Sequence, residues 1–493
     1  MTAKKPRKGL SKTLYIKGLQ CHKCLHLNKY HPELKDEISP RQQAIFDSGT
    51  EVGLLAQQLF SGGIEVPYEG LGYSEQLNMT KEEIEKGTEN IYEAAFSFEG
   101  IFLKVDILHK GKDGWEIYEV KSSNEMKDVY CDDVSVQYYV LNGCGLDVSK
   151  VFLVHLNREY VRQGDIEIDE LFVAEDLTET ALEKQNFVKN EVRKMKEMLK
   201  GDEPDIDIGS HCKKPYTCDY FNYCRRHIPE NSVFSLAGNG PDQYELYNQG
   251  IIRLKDVPLN ILPRTQQIQL EGYLYKRNVF DRAAVEDFMD TLWYPMSFLD
   301  FETNFTVPVP IFDGMRPYQQ IPFQYSLHVQ DKENGELKHF EYLGPAGKDP
   351  RREFIETLIR DIPVTSSVLV YNMTFEKGRL EELKQSFPEY EDKIQNIISN
   401  MRDLMSPFRS KHIYFHQMNG SFSIKKVLPV LVPELSYENM DISEGGMASD
   451  AWLMMQNMKD PKEIERTRKA LLEYCKLDTL AMVKILEKIK TYL

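Results

Sequence analysis

The residues with the clearest chemical potential stand at the end of an apolar run, MSFLDFET, where Asp300 and Glu302 lie two apart. A strand alternates its side chains, so a spacing of two aims both carboxylates at one face. Two close carboxylates repel each other, and a divalent cation relieves that repulsion. Downstream, SSVLVYNMTFEKGRL supplies Asn372, Phe375 and Glu376 at a strand-to-helix junction. LLEYCKLDTLAMVKIL places Tyr474 and Asp478 four apart on one helical face. Acids from separated segments can hold two metal ions, which activate a water and stabilise the leaving oxygen in phosphodiester hydrolysis. The bland alternative makes these acids strand-end and helix-surface solubilisers. Asp403, in MRDLMSPF, reads first as a cap or turn residue and only second as a fifth acid.

A second acid set lies upstream. FLKVDIL carries Asp106, and WEIYEVKSS carries Glu119 and Lys121, with a polar turn, KGKDG, between the two runs. An Asp and a Glu on adjacent strands can share a metal, and a lysine two residues on shares the glutamate's face. Glu-x-Lys by itself is common surface charge. Of the eight cysteines, Cys21 and Cys24 lie near the start, and Cys212, Cys218 and Cys224 fall in a turn-rich segment. Thiolates in such a loop with remote partners can ligate Zn²⁺ or an iron–sulfur cluster, or stay unligated. Cys131, Cys144 and Cys475 read as ordinary core or surface residues.

These groups need scaffolds, and the periodicity supplies them. At 493 residues the chain has room for two or three domains. Residues 12–60 read as helical, FSFEGIFLKVDILHK, WEIYEVKSS and KVFLVHLNRE as strands, and 132–143 and 176–200 as helices. Weakly patterned short helices fill 229–292. From about 295 an α/β alternation opens: strands PMSFLDFET, FQYSLHVQ and KHFEYLG, helix 350–361, strand SSVLVYN, helix 374–386 and a closing helix 461–492. The divisions expected are 1–228, a connecting module at 229–292, and 293–493. Net charge is −16, which excludes binding by a large basic surface but suits a site built from carboxylates. The basic start MTAKKPRKGLSK reads as a solvated tail, with a phosphate-contacting arm as the alternative. It lacks the apolar stretch of an export signal, and no run is apolar enough to span a membrane, so a cytoplasmic location and reduced cysteines are expected.

The C-terminal acid set resembles the DEDD exonucleases, the proofreading and RNase D-type family with an RNase H-like fold. Their Asp-x-Glu motif is met by Asp300 and Glu302, and the tyrosine subtype's Tyr-x-x-x-Asp by Tyr474 and Asp478. Their Asn-x-x-Phe-Asp motif reads Asn372-Met-Thr-Phe375-Glu376, so glutamate replaces aspartate. One methylene moves that carboxylate by about 1.5 Å, which would retune metal preference or lower activity. The resemblance implies that Asp300, Glu302, Glu376 and Asp478 hold Mg²⁺ or Mn²⁺ and that Tyr474 orients the attacking water.

The upstream set resembles the PD-(D/E)XK nuclease core, with Asp106, Glu119 and Lys121 as the Asp…Glu-x-Lys signature. The resemblance implies that Asp106 and Glu119 hold metal, that Glu51 in SGTEVGLLAQ is a helical acid of the site, and that Gln137 is the RecB-type glutamine. The tyrosine usual four residues beyond is absent, since position 141 is Leu. One early cysteine plus a late trio looks like the iron–sulfur RecB-family nucleases, which implies a [4Fe–4S] cluster on Cys21, Cys212, Cys218 and Cys224. Cys24 is the substitute for Cys21, and Zn²⁺ the alternative to the cluster. The wider segment from Phe298 also resembles a largely uncharacterised bacterial nuclease family in which a RecB-like domain precedes the exonuclease-like region.

The expectation is an α/β protein with a PD-(D/E)XK restriction-endonuclease-like domain followed by an RNase H-like exonuclease domain. It would be a metal-dependent nuclease acting 3′→5′ through its C-terminal domain, with nucleic acid as partner, DNA ahead of RNA. DNA repair, CRISPR adaptation and phage defence all fit. Two other readings stay open: one domain active and the other a binding platform, or a non-catalytic adaptor with protein partners.

Overall fold

The structure is a computed structural model describing residues 9–304, 307–438 and 440–493. Residues 1–8 of the basic start lie outside the described residues. The chain is mixed α/β and divides into two units, Met1–His227 with Val307–Gln319, and Ile228–Thr306 with Gln320–Leu493. The weakly patterned stretch before 293 groups with unit 2, and its longest helix is Arg264–Tyr275. Among the described residues no helix is long and apolar enough to cross a membrane.

Unit 1 opens with β1 (Leu10–Ser11), α1 (Lys12–Gln20), α2 (His22–Tyr30), α3 (Pro40–Ala56), β2 (Ile64–Glu65) and α4 (Tyr73–Lys86). The expected single helical region of 12–60 is broken at Cys21, whose backbone is extended, and again after His31. Then come β3 (Asn90–Phe98), β4 (Ile101–Lys110), β5 (Trp115–Lys121), α5 (Asp128–Gly143), β6 (Val148–Leu156), β7 (Phe172–Asp176) and α6 (Gln185–Met198). What reads in sequence as one strand, FSFEGIFLKVDILHK, is the end of β3 and all of β4, folded back at Glu99 and Gly100, both at positive φ. A two-residue hairpin needs that conformation, and Glu-Gly announces it less clearly than Asn-Gly does. The sheet runs β2-β3-β4-β5-β6-β7, with β1 pairing parallel to β4. Strands β3, β4 and β5 are antiparallel, and α5 crosses over to bring β6 parallel to β5. The α5 side chains Val134, Val136, Val140 and Leu141 share one core with Leu103 and Val105 of β4 and with Val188, Val192 and Met195 of α6.

Unit 2 is built on β8 (Met296–Thr303), β9 (Pro322–Gln330), β10 (Leu337–Leu343), α7 (Arg351–Asp361), β11 (Ser367–Val370), α8 (Met373–Ser386), α9 (Glu391–Ser399), β12 (Met401–Asp403), α10 (Ile424–Leu431), α11 (Gly445–Met455) and α12 (Pro461–Lys490). Its sheet has the order β10-β9-β8-β11-β12, the first three strands antiparallel and the last two parallel to β8. The period of two sorts β8 cleanly. Leu299 and Phe301 enter a core with Phe354 of α7, Leu380 of α8 and Ile394 of α9. The alternate residues Asp300 and Glu302 stand level with Ser326 and Gln324 of β9. That row of β9 meets α12: Gln324 Nε2 donates to the Leu471 carbonyl at 2.8 Å, and Thr479 Oγ1 lies 2.7 Å from Ser326 Oγ and 2.8 Å from His328 Nδ1. These buried bonds fix the rotation and height of α12, and with them Tyr474 and Asp478.

Candidate active sites

In unit 2, β8 delivers Asp300 and Glu302, α12 delivers Tyr474, Cys475 and Asp478, and the first turn of α8 delivers Glu376. Asn372, just before α8, sits at φ 90, the left-handed turn that swings the chain from β11 into the helix. Asp403 closes the same junction, accepting from the Asn372 N–H at 3.1 Å and the Met405 N–H at 3.0 Å, as a turn residue does. Ligand atoms of Asp300, Glu302 and Cys475 lie within 4.8 Å of one another, the only such group among the described residues. The Cys475 Sγ is 3.7 Å from Asp300 Oδ2, so a residue that looks ordinary in sequence lies against the acids.

The electrostatics are those of crowded, desolvated acids. Burial raises Asp300 well above the usual carboxylate range, and Asp478, Glu302 and Glu376 raise it further. Glu302 is raised likewise by burial and then Asp478, with the Lys425 ammonium opposing. Burial pushes Asp478 up to about 6, against hydrogen bonds from Tyr437 and Tyr474 and the charge of Lys425. Burial pushes Glu376 up to about 8, and its Oε2 has no hydrogen-bond partner among the described residues. An orphaned buried carboxylate oxygen whose charge reaches Asp300 and Glu302 fits a divalent ion.

Two groups here carry no motif. Tyr437 donates its hydroxyl to Asp478 Oδ1 at 2.7 Å. Lys425, at the start of α10, sits 5.6 Å from the Tyr437 ring centre and 5.4 Å from that of Tyr474 while donating to the Ser443 carbonyl at 2.6 Å. It is the cation that Glu302 and Asp478 feel. No local spacing marks either residue.

These raised acids set a pH signature. A carboxyl raised in the folded state keeps its proton where the unfolded chain has lost it, so folding weakens as pH climbs from the ordinary carboxylate range, about 4, toward the folded values. With Asp478 near 6 and Glu376 near 8, chelated protein should lose melting temperature between about pH 5 and 8. Mn²⁺ should restore it, with the larger gain at the alkaline end. Thermal unfolding with chelator or Mn²⁺ across that range checks this, and a flat chelated profile would contradict it.

In unit 1, β4 and β5 pair up to Ile107 and Tyr118, and Asp106 and Glu119 stand at the next step. Asp106 Oδ2 accepts from the Val120 N–H at 2.7 Å. Glu119, 1% exposed, receives Lys121 Nζ at 2.5 Å on Oε1 and Gln137 Nε2 at 2.8 Å on Oε2. So Asp106, Glu119, Lys121 and Gln137 are brought together. Two further residues join them: Asp133, one turn before Gln137 on α5, takes Lys121 Nζ at 2.6 Å, and Lys12 reaches Glu119 Oε1 at 2.7 Å. Burial opposes the charge on Lys121, but Asp133, Glu119 and Asp106 outweigh it and hold the ammonium firmly protonated. Glu51 is not brought to this group. It is exposed on α3, whose buried face is Val52 and Ala56, and no hydrogen bond or ion pair joins it to these residues. Leu141 is fully buried in the core, where a tyrosine hydroxyl would have no place.

The cysteines gather at the edge of unit 1. Cys24 and Cys218 pack with Leu27 and Tyr220, with Cys21 and Cys224 against them. Cys24 and Cys218 perturb each other, which raises Cys24 and lowers Cys218. Cys212 is raised by burial and then by Cys218 and Cys21, and Cys224 is raised to about 11 by burial, with Cys218, Cys212 and Cys21 adding to it. Thus Cys21, Cys24, Cys212, Cys218 and Cys224 form one set of free thiols, and the structure keeps both Cys21 and Cys24 in it. No three of them lie within 4.8 Å, the spacing that a single tetrahedral ion requires.

A family model described as a domain of unknown function, DUF2779, matches residues 297–423. The match holds Asp300, Glu302 and Glu376 and ends before Lys425, Tyr474 and Asp478. No curated protein matches the chain.

Proposed function

We propose that the chain is a metal-dependent nuclease whose unit 2 is a DEDD-type 3′→5′ exonuclease and whose unit 1 is a second, PD-(D/E)XK site stapled by an iron–sulfur cluster. The observation that carries the reading is the convergence of Asp300, Glu302, Glu376 and Asp478 from three elements into one desolvated group beside Tyr474. Mg²⁺ or Mn²⁺ held by those four acids would supply an activated water and stabilise the leaving oxygen. The protein's own part is placement. Asp478 accepts from the Tyr437 hydroxyl, and Tyr474, one turn before it on α12, stands beside the acids, where its hydroxyl can orient a water. Lys425 adds positive charge where a phosphate would bring negative charge.

The strand orders support the two folds. Three antiparallel strands followed by two parallel ones, with α12 across the acidic face, is the order an RNase H-like domain would have. Helix α4, the antiparallel β3, β4 and β5, crossover α5 and the parallel β6 give the α-β-β-β-α-β order of a PD-(D/E)XK core. Thiols drawn together from both ends of unit 1, yet too widely set for one ion, favour a [4Fe–4S] cluster over Zn²⁺. DNA is the proposed substrate, because RecB-like domains act mostly on DNA.

The test is degradation of end-labelled single- and double-stranded DNA and of RNA with Mn²⁺ by wild type, Asp106→Ala, Asp300→Ala and the double mutant. Each single mutant should lose one component of the activity, and the double mutant all of it. A double mutant that cuts at the wild-type rate overturns the proposal. Loss of everything in one single mutant leaves one working site and a binding platform.

A further inference from the structure

Every oxygen of Glu119 and Asp133 is engaged. Gln137 Nε2 holds Glu119 Oε2 at 2.8 Å and Asp133 Oδ1 at 3.2 Å, and Lys121 holds Glu119 Oε1 and Asp133 Oδ2. Lys12 Nζ completes the set at 2.7 Å from Glu119 Oε1 and 3.6 Å from Asp133 Oδ1. Lys121 and Gln137 belong to the motifs of this site, whereas Lys12 comes 107 residues before Glu119. Its delivery is built in. Leu10 and Ser11 pair with Ile101 and Phe102 of β4, and Ser11 Oγ caps α1 by accepting from the Leu14 N–H. Lys12 is therefore the first residue of a capped helix anchored to the strand that carries Asp106.

The charge balance shows what this does. Glu119 and Asp133 each meet the ammoniums of both Lys12 and Lys121, whereas in unit 2 Lys425 is the cation that Glu302 and Asp478 feel. An ammonium between two carboxylates occupies the place a divalent ion would take. Beside it opens a cavity of about 230 Å³ lined by Lys12, Lys121, Asp133, Tyr130, Tyr216 and Cys218, among others, with room for a phosphoryl group.

We propose that Lys12 is a working residue of the unit 1 site: its ammonium holds the cation position between Glu119 and Asp133 until a divalent ion displaces it into the adjoining cavity, where it meets the phosphate of the nucleic acid. Asp133 is then a third carboxylate of that metal site. The displacement half stands on geometry alone, and the phosphate half rests on the nuclease reading above.

The experiment measures Mn²⁺ binding by electron paramagnetic resonance in full-length protein carrying Asp300→Ala and Asp478→Ala, which silences unit 2. Adding Lys12→Met removes the competing charge and should tighten Mn²⁺ binding about tenfold, while Lys12→Arg keeps the wild-type affinity. Glu119→Gln in the Lys12→Met protein should abolish the gain. Lys12→Met with unchanged Mn²⁺ affinity, or a gain that survives Glu119→Gln, overturns the proposal. DNA cleavage by unit 1, in the same background, should slow in Lys12→Met despite the tighter ion. Tighter Mn²⁺ binding in a chain that cuts no DNA in any variant would instead sink the nuclease reading and leave the displacement standing.

Discussion

Asp478→Asn should lower exonuclease activity by about three orders of magnitude, roughly 4 kcal/mol of transition-state stabilisation, and at the same time make the chelated protein more stable. Both effects come from one carboxylate. Its charge is the strongest neighbouring one raising Asp300 and Glu302, so removing it relieves two buried acids at once. The amide keeps an oxygen to accept from the Tyr437 hydroxyl, so the packing of α12 against that ring survives. The gain should be about 1–2 kcal/mol, or a few degrees in melting temperature for a unit of this size. Mn²⁺ should raise the melting temperature of wild type and not that of the variant. Calorimetric scans with and without Mn²⁺ beside a single-turnover assay read both halves. A variant that is both inactive and less stable would mean that Asp478 is a structural residue rather than a metal ligand.

The second large effect is expected at the thiols. Cys218→Ser should cost unit 1 about 2–5 kcal/mol and leave a protein without brown colour after anaerobic purification. Residues 201–227 contain little regular structure beyond the turns at Ser210–Cys212 and Phe221–Cys224, so few ladder bonds hold them. Their anchors are a satellite core of Cys24, Leu27, Cys218 and Tyr220, the Lys17–Asp219 ion pair and the Gln20 side-chain amide on the carbonyls of His211 and Tyr216. If the proposed cluster is lost, contacts of this kind are what remain to hold the segment. Limited proteolysis should then cut within 201–227 first, while unit 2 keeps its exonuclease rate. Cys131→Ser, remote from the set, serves as the control. Colourless wild-type protein with stoichiometric zinc would refute the cluster.

How much of this could be read from the chain depends on whether a residue's partner is local. Asp300 and Glu302 announce themselves through the period of β8, and Tyr474 and Asp478 through the period of α12, because regular elements impose the geometry on neighbours in sequence. Gln137 has a motif, and its partner Asp133 sits one turn away on the same helix, yet only the fold shows that this turn faces Glu119. Lys12, Lys425 and Tyr437 have no such pattern. Each reaches its acid across a loop or a sheet pairing, and a lysine in a basic leader looks like any other. Glu51 is the opposite case: a helical acid in a suggestive place whose neighbours Val52 and Ala56 take the inward face. The hairpin at Glu99–Gly100 hid in an unbroken apolar pattern, since its turn conformation is carried by backbone angles rather than by a strong turn signal.

The make-up of unit 1 also fixes a timetable. Its thiols run from Cys21 to Cys224, and its last piece is Val307–Gln319, from which Tyr318 donates to the Ser122 carbonyl and against which Arg162 bonds the carbonyls of Pro310 and Ile311. Ser122 directly follows the Glu119-x-Lys121 run. On a ribosome moving at about 5–20 residues per second, that piece trails Glu119 by roughly 10–40 s. For that interval the nascent chain displays the Asp106 and Glu119 strands without their final support. The Asp106 and Glu119 strands therefore gain their last support after residues 228–306 of unit 2 have been made and before 320–493 follow.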